Sequence, residues 1–123
     1  MNIEHEEKLG AVKISEEVFI SCIINAALEI KGVAGLTGGL TETISKNLLG
    51  KESSKKGKGI KLSKENDEIV IDMYVTVDYG VKIPEVAWNI QKNVKKELGK
   101  ITDISVKAIN IHVQGVHFSE QED

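Results

Sequence analysis

The chain reads as an α+β domain: a small mixed sheet with helices packed on one face, in the order strand, helix, helix, strand, strand, helix, strand. Three observations predict this. Ile69 to Tyr79 alternates apolar and polar residues at the two-residue period of a half-buried strand. Phe19, Cys22, Ile23, Ala26, Ala27 and Ile30 recur at the three- and four-residue steps of a helix with one buried face, and Ile83, Ala87, Ile90, Val94 and Leu98 do so again. A length of 123 residues with 41% hydrophobic content suffices for one core and not for two.

Residues 1–9 form an acidic tail expected to be disordered, and Ala11 to Ile14 is a short first strand. Ser15 is placed to cap the first helix, with Glu16 and Glu17 at the positive end of its dipole and Gly32 as its stop. Val33 to Gly39, with three glycines, reads as a tight connection to a shorter helix from Thr41 to Leu49. Residues 50–59 read as a lysine-rich mobile loop. Ile60 to Ser63 is a strand, Glu65 to Glu68 a turn, and Ile69 to Tyr79 the long strand. Its Ile69, Ile71, Met73, Val75, Val77 and Tyr79 face inward, and Asp72, Tyr74, Thr76 and Asp78 face outward. Gly80 ends the strand, and Pro84 fits the first turn of the last helix, where its missing N–H has no intrahelical partner. Gly99 stops that helix. In the last strand, Ile104 to Val116, the apolar phase changes between Ala108 and Ile109, the mark of a bulge. The domain is thus residues 10–118, with 119–123 a second disordered tail.

Composition narrows the function classes. All 16 cationic residues are lysines, and there are only five aromatics. That disfavours the bidentate phosphate clamps and stacking platforms of nucleic-acid modules. A net charge of −3 is too mild for the whole molecule to capture a polyanion, although Lys51 to Lys64 carry six lysines against Glu52. The one cysteine, Cys22, cannot form an intramolecular disulfide and reads as a core thiol in a reduced, cytoplasmic protein. The acidic start has the wrong sign for a signal peptide. Val18 to Leu28, interrupted by Ser21 and Asn25, is shorter than the roughly 20 residues of a membrane span, so no direct membrane insertion is expected.

No catalytic constellation converges. Asp72 and Asp78 share a strand face, but six residues at about 3.3 Å each separate them by roughly 20 Å, too far for a carboxylate pair. His5, His112 and His117 lack the spacing of a zinc site and read as surface or edge residues. Ser15 has no G-x-S-x-G elbow, and neither glycine cluster is a P-loop. The expectation is no enzyme, no cofactor and no metal. Gly35-Leu36-Thr37-Gly38 between two helices resembles the G-x-x-G turn with which KH domains clamp a nucleic-acid backbone. A KH-like nucleic-acid binder is therefore the alternative reading, with Gly35, Gly38, Lys55, Lys56 and Lys58 as its contacts. Lys92, Lys95, Lys96 and Lys100 would support it. Outward Tyr74, and Trp88 at the border of the last helix's inner stripe, are the candidate protein-contact residues.

Longer motifs carry a family resemblance. Gly10-Ala-Val-Lys-Ile-Ser15, Val33-Ala-Gly-Leu-Thr-Gly-Gly39, Asp72-Met-Tyr-Val-Thr-Val-Asp-Tyr-Gly-Val-Lys-Ile-Pro-Glu-Val86 and Asn110-Ile-His-Val-Gln-Gly-Val-His-Phe118 resemble the alkaline shock protein family of Gram-positive bacteria. The resemblance implies a cytoplasmic, non-enzymatic protein of cell-envelope homeostasis and stress response. It further implies protein partners, among them a small membrane-anchor protein that would recruit it to the inner face of the cell membrane, and self-association into a homo-oligomer. It supplies no catalytic residues. Gly80, Pro84 and Gly115 are read as determinants of the fold.

Overall fold

A computed structural model of the chain describes residues 3–7, 9–36 and 59–118. Among them the order is β1 (Ile3–Glu7), β2 (Gly10–Ile14), α1 (Glu16–Leu28), β3 (Val33–Leu36), β4 (Ile60–Glu65), β5 (Glu68–Asp78), α2 (Ile83–Ile101) and β6 (Ser105–His117). The α+β class holds. The expected helix from Thr41 to Leu49, the loop from 50 to 58 and the tail from 119 to 123 lie outside the described residues.

β5 organises the sheet. β6 pairs with it in parallel from Glu68 to Asp78, occupying one whole edge. β4 and β3 share the other edge in tandem and antiparallel: β4 pairs with Glu68 to Met73, and β3 with Val75 to Val77. Two backbone bonds brace that edge, from Tyr74 N–H to the Gly59 carbonyl and from Asp78 N–H to the Gly32 carbonyl, each 2.8 Å. Parallel neighbours need a crossover, and α2 supplies it between β5 and β6. Every second residue of β5 from Ile69 to Val77 is buried. These five residues meet Phe19, Ile20, Ile23, Ala26 and Ala27 of α1 and Val86, Ile90, Val94 and Leu98 of α2 in one core. Asn93 ties the helices together, its Nδ2 donating to the Ala26 carbonyl at 2.8 Å and to Glu29 Oε1 at 2.9 Å. The first of these bonds satisfies a carbonyl in the last turn of α1, which has no intrahelical partner.

The structure departs from the sequence reading at several points. Val33 to Leu36 is a strand and not a turn, so Gly35 lies opposite Thr76 in the sheet and the KH-like arrangement is not supported. β4 reaches only as far as Met73, and the open half of that edge of β5 captures the chain leaving α1. Strand pairing there outweighs the preference of glycine for turns. Residues 3–7, which composition reads as part of a disordered tail, pair antiparallel with β2 as a separate two-stranded sheet. Composition registers charge there and is blind to a backbone ladder. Ser15 caps α1 as expected, accepting from Val18 N–H, but the helix ends at Leu28, and Gly32 instead makes the turn into β3. Ile20 takes the core place expected of Cys22, which is half-buried. In α2 the fully buried row is Val86, Ile90, Val94 and Leu98. Ile83 is exposed, and the helix runs through Gly99 to Ile101. The alternation puts Tyr79 on the inner face of β5, yet it lies beyond the strand's end and is 70% exposed. The bulge in β6 falls at Lys107, one residue before the expected position, and a second occurs at Gln114.

Two glycines at left-handed backbone positions differ in their surroundings. Gly80 has φ +95° and open space where a Cβ would stand, whereas at Gly32, with φ +104°, a Cβ would meet Val86 Cγ2 at 3.0 Å and Val81 Cγ1 at 3.3 Å. Gly80→Ala should therefore cost only the backbone penalty, about 1–2 kcal/mol. Gly32→Ala should cost more, because Val86 in the core must also shift. Chemical denaturation of the two variants checks this, and an equal or reversed order would refute it.

Candidate interaction surface on the open sheet face

The described helices cover one face of the sheet. The opposite face is built from the alternate residues of β5 and β6, whose parallel register sets like positions side by side. The result is a ladder of cross-strand pairs. Ser105 Oγ donates to Glu68 Oε2 at 2.9 Å. Lys107, on the first bulge, reaches Glu65 of β4 at 2.9 Å. Asn110 Nδ2 and His112 Nε2 both approach Asp72 Oδ1, at 3.1 and 3.0 Å. The His112 ring stacks on Tyr74, with centroids 4.5 Å apart and planes 11° from parallel. A Cβ at Gly115 would stand 3.1 Å from Thr76 Oγ1, so glycine lets the two strands close there. His117 Nδ1 lies 3.5 Å from Asp78 Oδ1. Beyond the strand ends Tyr79 stacks on Phe118 at 4.8 Å, with both rings largely exposed; this pair continues the Val77–Val116 row, in phase with the core side of the sheet and not with the ladder.

The polar groups of this face pair across the strands. Asp72 and Asp78 each face their own histidine and not one another. In the Asp72–His112 pair, Nε2 faces the carboxylate and a ring face lies against Tyr74, so the imidazole is held in place by both. The hydrogen bond from His112 holds the Asp72 carboxyl below its ordinary value, outweighing desolvation, and Asn110 and then Lys61 add to the effect. Burial pushes the Cys22 thiol up, with Glu97 adding to this, so the thiol is kept protonated and not activated as a nucleophile. Among the described residues no group of three or more His, Cys, Asp or Glu side chains could hold a metal ion.

Of the residues singled out from sequence, Tyr74 stands in this ladder. Trp88 is 56% exposed on α2, in the other layer, with Lys92 Nζ 4.0 Å over its ring. The two therefore belong to different surfaces. Gly35 lies in β3, and Gly38, Lys55, Lys56 and Lys58 are outside the described residues. Sequence reasoning missed His112 and Asn110 as members of this surface, and the Tyr79–Phe118 pair at the end of the sheet. Their signal was present only as an alternation shared by two strands whose pairing was unknown.

A carboxyl with a depressed folded value adds stability that is present above its unfolded value, near 3.9, and lost as pH falls through the folded one. Asp72→Asn should cost about 1 kcal/mol at neutral pH and flatten the acid limb of the stability profile below about pH 4. Thermal melts of the variant and the parent across that range check this; an unchanged acid limb would count against the pair.

Comparison with known proteins agrees with the motifs. Residues 4–118 match the model of the alkaline shock protein 23 family, described as of cell envelope-related function. Bacillus subtilis YloU is 38% identical over 94% of this chain and 96% of its own length. Bacillus subtilis YqhY is 37% identical over 96% of this chain and 86% of its own. A Streptococcus pyogenes protein named stress response regulator gls24 homolog is 25% identical over 86% of this chain and 59% of its own. Two solved forms of the MamM CTD superpose with a TM-score of 0.51 at 18% and 19% identity, covering 80% and 85% of this chain and 94% and 99% of theirs, a likeness of fold alone. With nearly its whole length matched, the chain belongs to the alkaline shock protein 23 family, whose function is cell envelope-related.

Proposed function

We propose that the protein is a non-enzymatic contact module of cell-envelope homeostasis and stress response, acting through protein contacts that include a second copy of itself. The observation that carries this reading is the open sheet face. It is an ordered ladder whose polar groups are largely paired with one another, and at one end of the sheet, in phase with the other face, stands the exposed Tyr79–Phe118 stack beside Val116, itself 42% exposed. Exposed aromatic pairs next to a polar, internally satisfied surface suit a protein interface, where rings supply buried area at low entropic cost and the rim keeps water out. A relative named for stress response and a family described as cell envelope-related support the physiological setting. Among the described residues no helix is long and apolar enough to cross a membrane. An anchor protein as partner would give such a module its place at the membrane.

Light scattering after size exclusion, across a wide concentration range, tests the reading. The association state should rise with concentration, and Tyr79→Ala with Phe118→Ala should weaken association at least tenfold while leaving the thermal midpoint near that of the parent. Tyr74→Ala should weaken it less, because part of the ring is already covered by His112. A strict monomer at all concentrations would overturn self-association, and a matching loss of thermal stability would reassign the two rings to the fold.

A further inference from the structure

A second surface lies on the helix layer, away from the sheet face. A groove of about 580 Å³ is lined by Ile30, Asn89, Lys92, Asn93, Lys95 and Lys96. All three lysines are exposed, and none of the lining residues is acidic. Beside it, the Glu29 carboxylate accepts a hydrogen bond from Asn93 at 2.9 Å. Trp88 stands one turn before Lys92 on the same helical face, more than half exposed, with the ammonium 4.0 Å over its ring. A net charge of −3 for the chain thus coexists with a concave cluster of three cations beside its one tryptophan.

We propose that this groove docks the protein on an anionic lipid surface, with the lysines on headgroup phosphates and Trp88 at the interface. Lysines are point charges suited to phosphate, and tryptophan favours the headgroup level of a bilayer. The buried row of α2, Val86, Ile90, Val94 and Leu98, belongs to the core, so the helix has no apolar face free to sink into acyl chains. The contact is therefore adsorption at headgroup depth, electrostatic and sensitive to salt. A nucleic-acid strand fits less well. It would call for successive stacking platforms, whereas α2 carries one aromatic residue, and Lys92 already covers one face of that ring. This surface does not use the sheet-face ladder, so it stands or falls independently of self-association.

The test uses the full chain and vesicles of phosphatidylcholine with or without about one third phosphatidylglycerol. Because Trp88 is the one tryptophan, its emission reports on the groove directly. The protein should sediment with the anionic vesicles with a blue shift of emission, leave pure phosphatidylcholine unbound, and be released as salt rises from about 50 to 500 mM. At about fivefold per lysine, the K92Q/K95Q/K96Q variant should lose on the order of a hundredfold in partitioning, while Lys64→Gln on β4 should match the parent. Far-UV circular dichroism checks the fold of the triple variant, and the three single variants, at about fivefold each, serve if it does not fold. Absence of binding to anionic vesicles at low salt, or binding that the lysine variants leave unchanged, would overturn the proposal. So would saturation of the emission change by free glycerol phosphate without vesicle binding, or tighter binding of a single-stranded RNA at the same salt.

Discussion

The structure depends on the double pairing of β5. This strand is buried on one side along its whole length, gives one edge to β6 and divides the other between β4 and β3. A strand so placed has no freedom of register, because a slip of one residue would move Ile69, Ile71, Met73, Val75 and Val77 out of the core and bring Asp72 and Asp78 into it. Each neighbour then inherits its position from β5. β4 stops at the register of Met73, β3 fills the remaining edge, and α2 must cross the sheet to return the chain in parallel as β6.

The same constraint makes the open face. With β5 fixed, its outward residues form a line, and the parallel partner sets Asn110, His112 and His117 beside Asp72, Tyr74 and Asp78. The two bulges at Lys107 and Gln114 matter here, since each gives β6 one residue without an opposite on β5, and outward residues still stand opposite outward ones on either side of it. Exposed pairs of this sort are individually weak. As a series on two adjoining strands they hold side chains in fixed positions, which would lower the entropic cost of the proposed contact.

The helix layer faces a different task. α1 and α2 bury their apolar rows against β5 and are joined by the Asn93 contact, and the residues pointing away from the core are then free to differ in charge from the rest of the chain. The acidic total and the cationic groove are compatible because the two lie in different regions of one surface. The two contacts proposed above therefore fall in separate places, one on the sheet and one on the helix layer.

Much of the fold was legible in the sequence because it is written in short-range periodicity. The alternation of β5, the helical steps of α1 and α2, the cap at Ser15, Gly80 as the end of β5 and the phase change in β6 are all local, and the long motifs identified the family. What local pattern could not determine was which strands are neighbours. Val33 to Leu36 looked like a turn because its glycines are visible and the vacant edge of β5 is not; residues 3–7 looked like a tail because a backbone ladder leaves no mark in composition. The candidate surface was illegible for the same reason: Tyr74 could be seen to face outward, but its stacking on His112, 38 residues away, the pairing of Asp72 with that same imidazole and the meeting of Tyr79 with Phe118 exist only once β6 lies parallel to β5. Sequence alone determined which residues are buried or turned outward along most of each element, since hydrophobic burial is read along one chain; only the tertiary structure decided which outward residues stand together, since that is set by pairing between distant segments.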